Sequence, residues 1–568
     1  MPDEDPPKSL ALASYVSPQA APGSEASGKG GKAGRRLPRA KLQAQDDDAQ
    51  VAEWASLLGD LARGTEPHAH DAVEWRIHDK THLEFAIDYT FDKQPHSYTW
   101  EAFFFLPESL RIQETTYDKK DIYEDLLSYV RFAVPEIALG TLAKSGPGTE
   151  LGKLRKALMG AKEKPDGSPQ AQTATRALRL FASLVRSSGV AAMREVQDHV
   201  GGRRDSPAEI GPLVVAFSAT CGALAHGLRT LIGEAKGFGL PDEVGITMRW
   251  ADEDISLVLE TLAATLAVQL DEIDGENGRE LHDLAEMVAS RAVSEARHRA
   301  ERGYDSLGAA TASERQIEHL EFRRHVLKRF TSSVLWLTLD VRERNRWIEH
   351  TFYAVAAAVA MGFAVAAAFQ SNKSADSVYK YSLLVIVAYA IKDRMKAYLQ
   401  GVFTGYIARR FPDRNWIIRE RDGDRPVGKG DERAGFLEFR HVPADVLRLR
   451  RLTREHALEE QARPERVLWH RKTIEVERPE GATDLEVFPM LTEIFRLNVR
   501  QWLNNTDDPN RKVTFADPRD ARIYSATARR VYNVNIVYRL THNQGADTWH
   551  RLRLVISRKG IERIDTIR

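Results

Sequence analysis

From Phe352 to Phe369 every residue is apolar or glycine, and this run limits how the rest of the chain can be arranged. A polar connector, Gln370 to Asp376, separates it from a second apolar run, Tyr381 to Ile391. A helix needs roughly 20 apolar residues to cross a hydrocarbon core of about 30 Å, and the first run nearly meets that length. We therefore predict a transmembrane helical hairpin over residues 351–391. The alternative is a buried helical hairpin in a large soluble domain, because a core helix can also be apolar on every side.

Basic residues flank the predicted hairpin, whereas its connector region offers only Lys373 and Lys380. Positively charged flanks remain on the cytoplasmic side of a membrane, so we expect both termini to be cytoplasmic. The second span reaches a sufficient length only if Lys380 extends to the headgroups. The flanking cations are Lys328, Arg329, Arg342, Arg344 and Arg346 before the hairpin and Lys392, Arg394, Lys396, Arg409 and Arg410 after it.

The composition outside the hairpin is that of a soluble protein, with a mean hydropathy of −0.41 over the 568 residues. This length predicts about three or four domains. Lysine plus arginine equals aspartate plus glutamate, at 81 each, so no global basic field exists and no nucleic-acid partner is expected. The single cysteine, Cys221, excludes an intramolecular disulfide and a cysteine-cluster zinc site.

Up to the end of the hairpin, the sequence divides into four predicted segments. Residues 1–48 read as a disordered tail rich in Pro, Ala, Gly and Ser. Residues 49–150 are predicted to form a small α+β module, residues 151–346 a helical bundle, and residues 351–391 the transmembrane hairpin. In the module we expect three strands that form an antiparallel meander, followed by a helix, and we expect the last bundle helix to run from Ser313 almost directly into the first span. The strands are Val73–Ile77, Leu83–Phe91 and Tyr98–Leu106, and the helix is Asp118–Phe132.

After the hairpin we predict a juxtamembrane helix and linker over residues 392–431 and a C-terminal α+β domain with an antiparallel sheet over residues 432–568. Alternating residues from Tyr532 to Leu540 and from His550 to Ile556 predict a β-hairpin. Further strands are expected at Phe436–Val442 and Val467–Val476, and a helix at Pro489–Asn504. The predicted fold class is thus an α+β multidomain membrane protein.

Three segments carry a resemblance: Phe103–Phe132, Ser332–Glu343 and Ile391–Met395. Together they resemble a family of uncharacterised bacterial membrane proteins with two central transmembrane spans. The resemblance implies a two-pass protein of the bacterial inner (plasma) membrane. It implies no activity, so it assigns no functional residue.

Recognised reaction centres are absent from the sequence. Glu295 and His298 have the Glu-x-x-His spacing of di-iron bundles, but no second pair accompanies them, and we interpret them as a solvated helix face beside Arg297 and Arg299. Neither a phosphate-cradling Walker loop nor a nucleophile elbow occurs. We therefore predict no catalytic residue, no cofactor-binding residue, no cofactor and no metal site.

Two constellations in and beside the hairpin remain. On the first span Ala354, Ala358, Gly362 and Ala366 are four residues apart and form a small-residue stripe that lets another helix approach closely. It serves either packing against the second span or a homo-oligomer. An inner-leaflet basic collar, near anionic headgroups, is predicted at Lys392, Arg394, Lys396, Arg409 and Arg410.

These features predict a membrane-anchored cytoplasmic scaffold or signal-coupling protein, with the lipid bilayer as one partner and a protein partner that the sequence does not identify. One alternative is an effector of stress or phage defence that oligomerises through the first span and perturbs the bilayer. Another is an enzyme with an unrecognised site in the C-terminal domain, where arginine and histidine are frequent.

Overall fold

A computed structural model of the chain describes most of its residues, and all of these belong to one compact unit, Asp46–Arg568. The predicted disordered tail over residues 1–48 lies outside the described residues. The described residues are 73–90, 96–201, 207–271, 278–306, 313–343, 346–374, 378–421, 425–451, 465–477, 488, 490–519, 522–543 and 549–566.

Within these residues the chain forms twelve α-helices, and five of them, α4 to α8, make up a helical bundle. Apolar side chains at three- and four-residue spacing bury one face of each long helix, for example Ile255, Leu259, Leu262 and Leu266 of α6. The helices are α1 (Lys119–Asp125), α2 (Leu139–Leu142), α3 (Glu150–Gly160), α4 (Pro169–Gly201), α5 (Pro207–Ala235), α6 (Asp242–Asp271), α7 (Gly278–Arg302), α8 (Glu314–Ser332), α9 (Arg346–Ser374), α10 (Val378–Arg410), α11 (Ala444–Arg450) and α12 (Arg500–Leu503).

Fourteen strands accompany the helices in the described residues, and every pairing between them is antiparallel. The predicted combination of helices with antiparallel sheet is therefore confirmed. The strands are β1 (Val73–Ile77), β2 (His82–Thr90), β3 (His96–Pro107), β4 (Leu126–Phe132), β5 (Leu337–Glu343), β6 (Arg414–Glu420), β7 (Pro426–Leu437), β8 (Glu465–Val476), β9 (Met490–Asn498), β10 (Asn510–Asp517), β11 (Arg522–Arg529), β12 (Tyr532–His542), β13 (His550–Ser557) and β14 (Gly560–Thr566).

The strands form a four-stranded sheet in the order β1-β2-β9-β4, an eight-stranded sheet in the order β14-β13-β12-β3-β8-β7-β6-β5, and the two-stranded ribbon β10-β11. Both larger sheets combine strands from the two ends of the chain, since β2 pairs with β9 and β3 lies between β12 and β8. The predicted meander of the first three strands is wrong, because only β1 and β2 are neighbours. Aromatic side chains of β2 and β3 are buried where the sheets pack, such as Phe85 against Trp100 with ring centroids 5.4 Å apart.

Two predicted helices contain strands instead. The helix at Pro489–Asn504 is wrong, because Met490–Asn498 is a strand between β2 and β4. Most of its side chains on both faces are buried, which removes the alternation that identifies a strand. The helix at Asp118–Phe132 is correct only for α1, which starts at a capping box between Asp118 and Asp121, and the chain continues as β4 from Leu126.

The segments next to the hairpin also differ from prediction. The last bundle helix, α8, does not run into the first span, because it ends at Ser332 and β5 intervenes. The alternation of Leu337, Leu339 and Val341 with polar residues carries this strand signal. The predicted linker over residues 422–431 and the strand at Phe436–Val442 are largely wrong, since β7 covers Pro426–Leu437 and a short 3-10 helix follows.

Several other local predictions are confirmed. β12 and β13 form the predicted β-hairpin, and β8 covers the predicted strand at Val467–Val476. The helix that contains the second apolar run continues through Arg410, as the sequence predicted, and its position beside a membrane remains a prediction.

Candidate functional site

The helical hairpin of α9 and α10 is inserted between two neighbouring strands of the eight-stranded sheet. β5 ends at Glu343 and α9 begins at Arg346, while α10 ends at Arg410 and β6 begins at Arg414. β5 is the edge strand and pairs with β6 along its full length, from Leu337 opposite Glu420 to Glu343 opposite Arg414. The two helices therefore extend directly from two hydrogen-bonded strands.

Side chains near the base fix how α9 and α10 align. The rings of Phe352 and Phe403 have centroids 5.4 Å apart, and the hydroxyls of Tyr353 and Thr404 are 3.1 Å apart. The strand beyond α10 is held by Asp413, whose carboxylate accepts a hydrogen bond from Lys119 Nζ at 2.6 Å and from the Tyr123 hydroxyl at 3.1 Å. The hairpin thus has a rigid base in the sheet.

The outer surface of the hairpin is apolar. Among the described residues, two helical segments are long and apolar enough to cross a membrane, Trp347–Gln370 and Glu209–Phe238. The window in the second is 39% buried and lies in the bundle helix α5, whereas the window in α9 is 11% buried. The described part of α10 does not meet the same criterion of length and composition. Large exposed apolar side chains nevertheless occur on both helices of the hairpin, namely Trp347, Val355, Val359, Met361, Phe363, Val365, Phe369, Leu383, Ile386, Val387, Ile391 and Val402.

The predicted small-residue stripe lies on this exposed surface. Its four members, Ala354, Ala358, Gly362 and Ala366, are all exposed, and a Cβ placed on Gly362 would have no heavy atom within 4 Å. The buried side of α9 is instead at Ala356 and Ala360, which are 0% and 1% exposed. Within one chain, therefore, these four residues do not form the interface with α10.

The predicted basic collar is divided between two heights on α10. Tyr353 lies beside Thr404, and both helices rise about 1.5 Å per residue, so Lys392, Arg394 and Lys396 are level with roughly the middle of α9. The Lys392 ammonium lies 3.6 Å from the centroid of the Tyr389 ring and 3.4 Å from the Asp393 carboxylate. Arg394, Lys396 and Arg410 are exposed, with Arg410 at the base of the hairpin, and the side chain of Arg409 lies outside the described residues. The position of the collar at the inner leaflet remains a prediction.

A second candidate site is a cavity of about 160 Å³ where the helical bundle meets the four-stranded sheet. Basic and hydroxyl side chains from both sides converge on it, and the described residues that line it include five cations and no carboxylate. The sheet contributes Arg76, Arg131 and Arg496, the bundle contributes Ser183, Arg186, Ser187, Lys328 and Ser332, and Val134, Leu335, Trp336 and Ile494 complete the wall.

Carboxylates next to the cavity orient some of these cations. Arg496 Nε donates to Glu84 Oε2 at 2.7 Å, and Arg76 Nε lies 3.4 Å from the other oxygen of the same buried carboxylate. Arg186 donates to Asp254, whose second oxygen accepts a hydrogen bond from Thr331 Oγ1 at 2.9 Å. A carboxylate that pairs with an arginine fixes the orientation of its planar guanidinium.

Asp254 belongs to a buried ionic network in the bundle that the sequence reading did not find. Three consecutive acidic residues of α6 are buried, and each has a partner on another helix: Asp252 bonds His298 at 3.0 Å, Glu253 bonds Arg323 at 2.7 Å, and Asp254 bonds Arg186. Burial raises the pKa of Tyr304, which also donates to Asp252, to about 12.

The interpretation of Glu295 and His298 as a solvated helix face is wrong. Glu295 is 0% exposed and accepts hydrogen bonds from Arg229 and Ser256, and Arg299 is 1% exposed and donates to Glu260. The network as a whole neutralises charge inside the bundle, because a buried ion without a partner is strongly destabilising. The acidic run at 252–254, in a helix whose other buried side chains are mainly apolar, was the available signal.

The two larger sheets share a second set of buried ions. Lys472 of β8 donates to Glu493 of β9, which also accepts a hydrogen bond from Tyr89 at 2.7 Å. His470 bonds Glu432 at 2.7 Å and stacks on Phe495. His470 and Lys472 are thus buried structural groups. Among the described residues no group of three or more metal-ligating side chains is arranged to hold a metal ion.

A larger cleft of about 900 Å³ lies along α3 and α4 and reaches Phe488. Its wall is mainly apolar, including Leu154, Leu180 and Phe181. Two of its basic side chains have close partners, since Lys153 pairs with Glu150 at 2.6 Å and Arg176 pairs with Glu420 at 2.5 Å. Polar groups do not converge on one point here as they do in the smaller cavity, so the cleft offers no comparable site.

Comparison of the chain with protein-family models, curated proteins and solved structures gives no match. The resemblance to two-span bacterial membrane proteins therefore remains a prediction. Sequence spacing could not reveal the small cavity, because its residues come from five separate segments that are brought together only by the pairing of strands from distant parts of the chain.

Proposed function

We propose that this protein is a membrane-anchored signal-coupling protein in which the hairpin α9–α10 links the bilayer to the helical bundle. The observation that supports this proposal best is the insertion of the hairpin between β5 and β6, which are paired antiparallel up to the base of the helices. A change in the separation or tilt of the helices acts directly on this hydrogen-bonded edge of the sheet. A flexible tether would not have this property.

The other end of β5 supports the same proposal. The chain leaves α8 at Ser332 and enters β5 at Leu337, so four residues connect the bundle to the edge strand. This turn is fixed to the four-stranded sheet, because the Phe132 amide donates to the Leu335 carbonyl at 2.8 Å and Trp336 forms a β-bridge with Arg131. Displacement of β5 would therefore reach both the bundle and the sheet.

The proposed membrane position follows from the basic residues and from the exposed apolar side chains above their level, such as Phe369, Leu383 and Ile386. We place the tip of the hairpin in the hydrocarbon core and Lys392, Arg394 and Lys396 at the cytoplasmic headgroups, with both termini in the cytoplasm. The part of α10 above Lys392 runs from Val378 and is about 20 Å long at 1.5 Å per residue. Long lysine and arginine stems and local thinning of the bilayer extend the distance that such a tip can span.

Cysteine labelling tests this topology. In a Cys221→Ala background, a cysteine at Asn372 should react with a membrane-impermeant maleimide added to intact cells. A cysteine at Lys559, in the exposed turn between β13 and β14, should react only after the cells are opened. Labelling of both positions, or of Lys559 alone, in intact cells would contradict the proposed topology.

A second candidate function is an oligomeric membrane effector, and the exposure of the stripe around Gly362 favours it. In that arrangement the whole apolar length of α9 lies in the bilayer, and Lys392 to Lys396 lie within the membrane. Charged residues at that depth face a protein interior or water, so several hairpins would have to surround them. A fluorophore at Lys396 separates the two arrangements. Lipid-attached quenchers at headgroup depth should quench it in the coupling arrangement, whereas quenchers near the bilayer centre should do so in the effector.

A further inference from the structure

The cavity between the bundle and the four-stranded sheet has the properties of a binding site that the proposed function does not use. Arg76, Arg131 and Arg496 reach it from the sheet, while Arg186 and Lys328 reach it from the bundle. Glu84 offsets part of the charge of Arg76 and Arg496, and Asp254 offsets that of Arg186, but no carboxylate is among the described residues that line the cavity. The chain maintains this arrangement with residues from β1, β4, β9, α4 and α8.

We propose that this cavity binds a compact divalent oxyanion of the phosphate class, either free phosphate or the phosphate group of a small phosphomonoester. The guanidinium groups of the three sheet arginines and of Arg186 can each donate two parallel hydrogen bonds to such oxygens, and Lys328 adds a point charge. Ser187 and Ser332 place hydroxyl groups in the same wall.

The size of the cavity limits the ligand. A volume of about 160 Å³ corresponds to a few water molecules, each of which occupies about 30 Å³ in the liquid. It is smaller than the roughly 300–1,000 Å³ that encloses a drug-sized ligand. A phosphate group fits within such a space, whereas a nucleotide would have to leave its base and sugar outside.

The orientation of the cations supports a site for a dianion over a simple charge cluster. Glu84 holds Arg76 and Arg496 from one side, and Asp254 holds Arg186 from the other. Neither carboxylate is among the residues that line the cavity, although Glu84 lies on the same face of the sheet, opposite both Arg76 and Arg496. The Nε atom of Arg186 is buried and has no hydrogen-bond partner among the described residues. The guanidinium groups are therefore positioned before any ligand arrives, which reduces the ordering that binding requires.

The location of the site connects it to the hairpin. Lys328 and Ser332 lie on the last turns of α8, and Leu335 and Trp336 belong to the turn that precedes β5. An anion that joins these residues to Arg131 and Arg496 would fix that turn against the four-stranded sheet. Binding itself does not depend on the proposed membrane function, but its use as an input to the hairpin does.

Thermal unfolding of the full-length protein in detergent, at constant ionic strength, tests the proposal. Inorganic phosphate and sulfate should raise the melting temperature with a saturable dependence on concentration, and chloride should not. A soluble phosphomonoester and short-chain phosphatidic acid, added separately, distinguish a free ligand from a lipid headgroup. None of the residues that line the cavity belongs to α9 or α10, so the proposal predicts the soluble compound.

Lys328→Gln and Arg329→Gln form a matched pair, because the neighbouring Arg329 is exposed and does not line the cavity. Lys328→Gln should weaken phosphate binding at least tenfold, and Arg329→Gln should leave it unchanged. If Lys328→Gln does not fold, the unmodified protein provides the test. Phosphate should slow the amide hydrogen exchange of residues 333–336. The proposal is overturned if phosphate and sulfate give no saturable shift, if both variants weaken binding equally, or if exchange in that turn is unaffected.

Discussion

Glu343 and Arg414 lie opposite each other at the last register pair of β5 and β6, where the two strands give way to α9 and α10. The guanidinium of Arg414 is also 4.1 Å from the centroid of the Tyr123 ring, so α1 supports this point from the side. The hairpin consequently meets the sheet at a site held by backbone pairing and by a side-chain contact. The coupling account predicts that this site responds to events in the hairpin.

A larger side chain on the buried side of α9 should weaken the pairing of β5 with β6. Ala356 lies on the buried side of α9 and is 0% exposed. Ala356→Leu should therefore force the two helices apart, at a cost of about 1–3 kcal/mol. Hydrogen exchange of the β5 and β6 amides should then become faster. Ala358→Leu is the control, because Ala358 is exposed on the same helix and should change exchange little. Equal exchange in both variants would show that the strands do not sense the hairpin.

Removal of the Asp413 carboxylate should loosen the base of the hairpin. This side chain accepts hydrogen bonds from Lys119, Tyr123 and the Ala434 amide, and burial together with the Asp413 charge raises the pKa of Tyr123. Asp413→Ala should reduce the free energy of unfolding by about 1–3 kcal/mol, since partly buried donors lose their acceptor. Asp508→Ala is a suitable control because Asp508 is highly exposed. Chemical denaturation measures this free energy. A loss no larger than that of Asp508→Ala would contradict the role assigned to Asp413.

A substitution in the small-residue stripe of α9 distinguishes the coupling protein from the oligomeric effector. Gly362 is exposed, and a Cβ placed there has no neighbour within 4 Å, so Gly362→Leu should leave folding and insertion intact. If the stripe joins copies of the chain, the variant should form a smaller species in mild detergent, because close helix contact is lost. An unchanged size would remove the main support for an oligomer through this face.

The buried pair of Glu432 and His470 predicts a dependence of stability on pH. Burial alone would raise the pKa of Glu432, but the hydrogen bond from His470 and the charge of Lys472 outweigh it, so the pKa lies below the usual 4.5. A carboxyl whose folded-state pKa is lowered stabilises the protein above its unfolded-state pKa, and this contribution disappears as the pH falls through the folded-state value. Glu432→Gln should therefore cost about 1–3 kcal/mol at pH 7. The difference from the unmodified protein should shrink below pH 4.5, as measured by urea unfolding. A difference independent of pH would show that the carboxylate charge is not involved.

The sequence predicted the elements whose signal is local. The apolar run of α9, the helical periodicity of α6 and the alternation in β12 and β13 each depend on neighbours within a few turns or strand residues. β9 was mistaken for a helix because it is buried on both faces, and β5 was missed between two helices. The sheets combine β2 with β9 and β3 with β8 across hundreds of residues, which periodicity cannot indicate.

The candidate sites, too, were predictable only where their signal is local in the sequence. The four stripe residues could be selected from their spacing, but only the structure shows that they are exposed and that Ala356 and Ala360 are buried instead. The basic cavity depends entirely on distant pairings. Arg131 and Arg496, for example, reach the same cavity because β4 and β9 are neighbours.

Excision of the hairpin tests the central claim most directly. Because β5 and β6 are already paired, residues 346–410 can be replaced by a short Gly-Ser linker that closes a two-stranded turn. The unmodified protein should remain with membranes after extraction at high pH and high salt. The excised protein should appear in the soluble fraction with protected amides in β6 and β7. Release of the unmodified protein by this extraction, or membrane retention of a folded excised protein, would contradict the account.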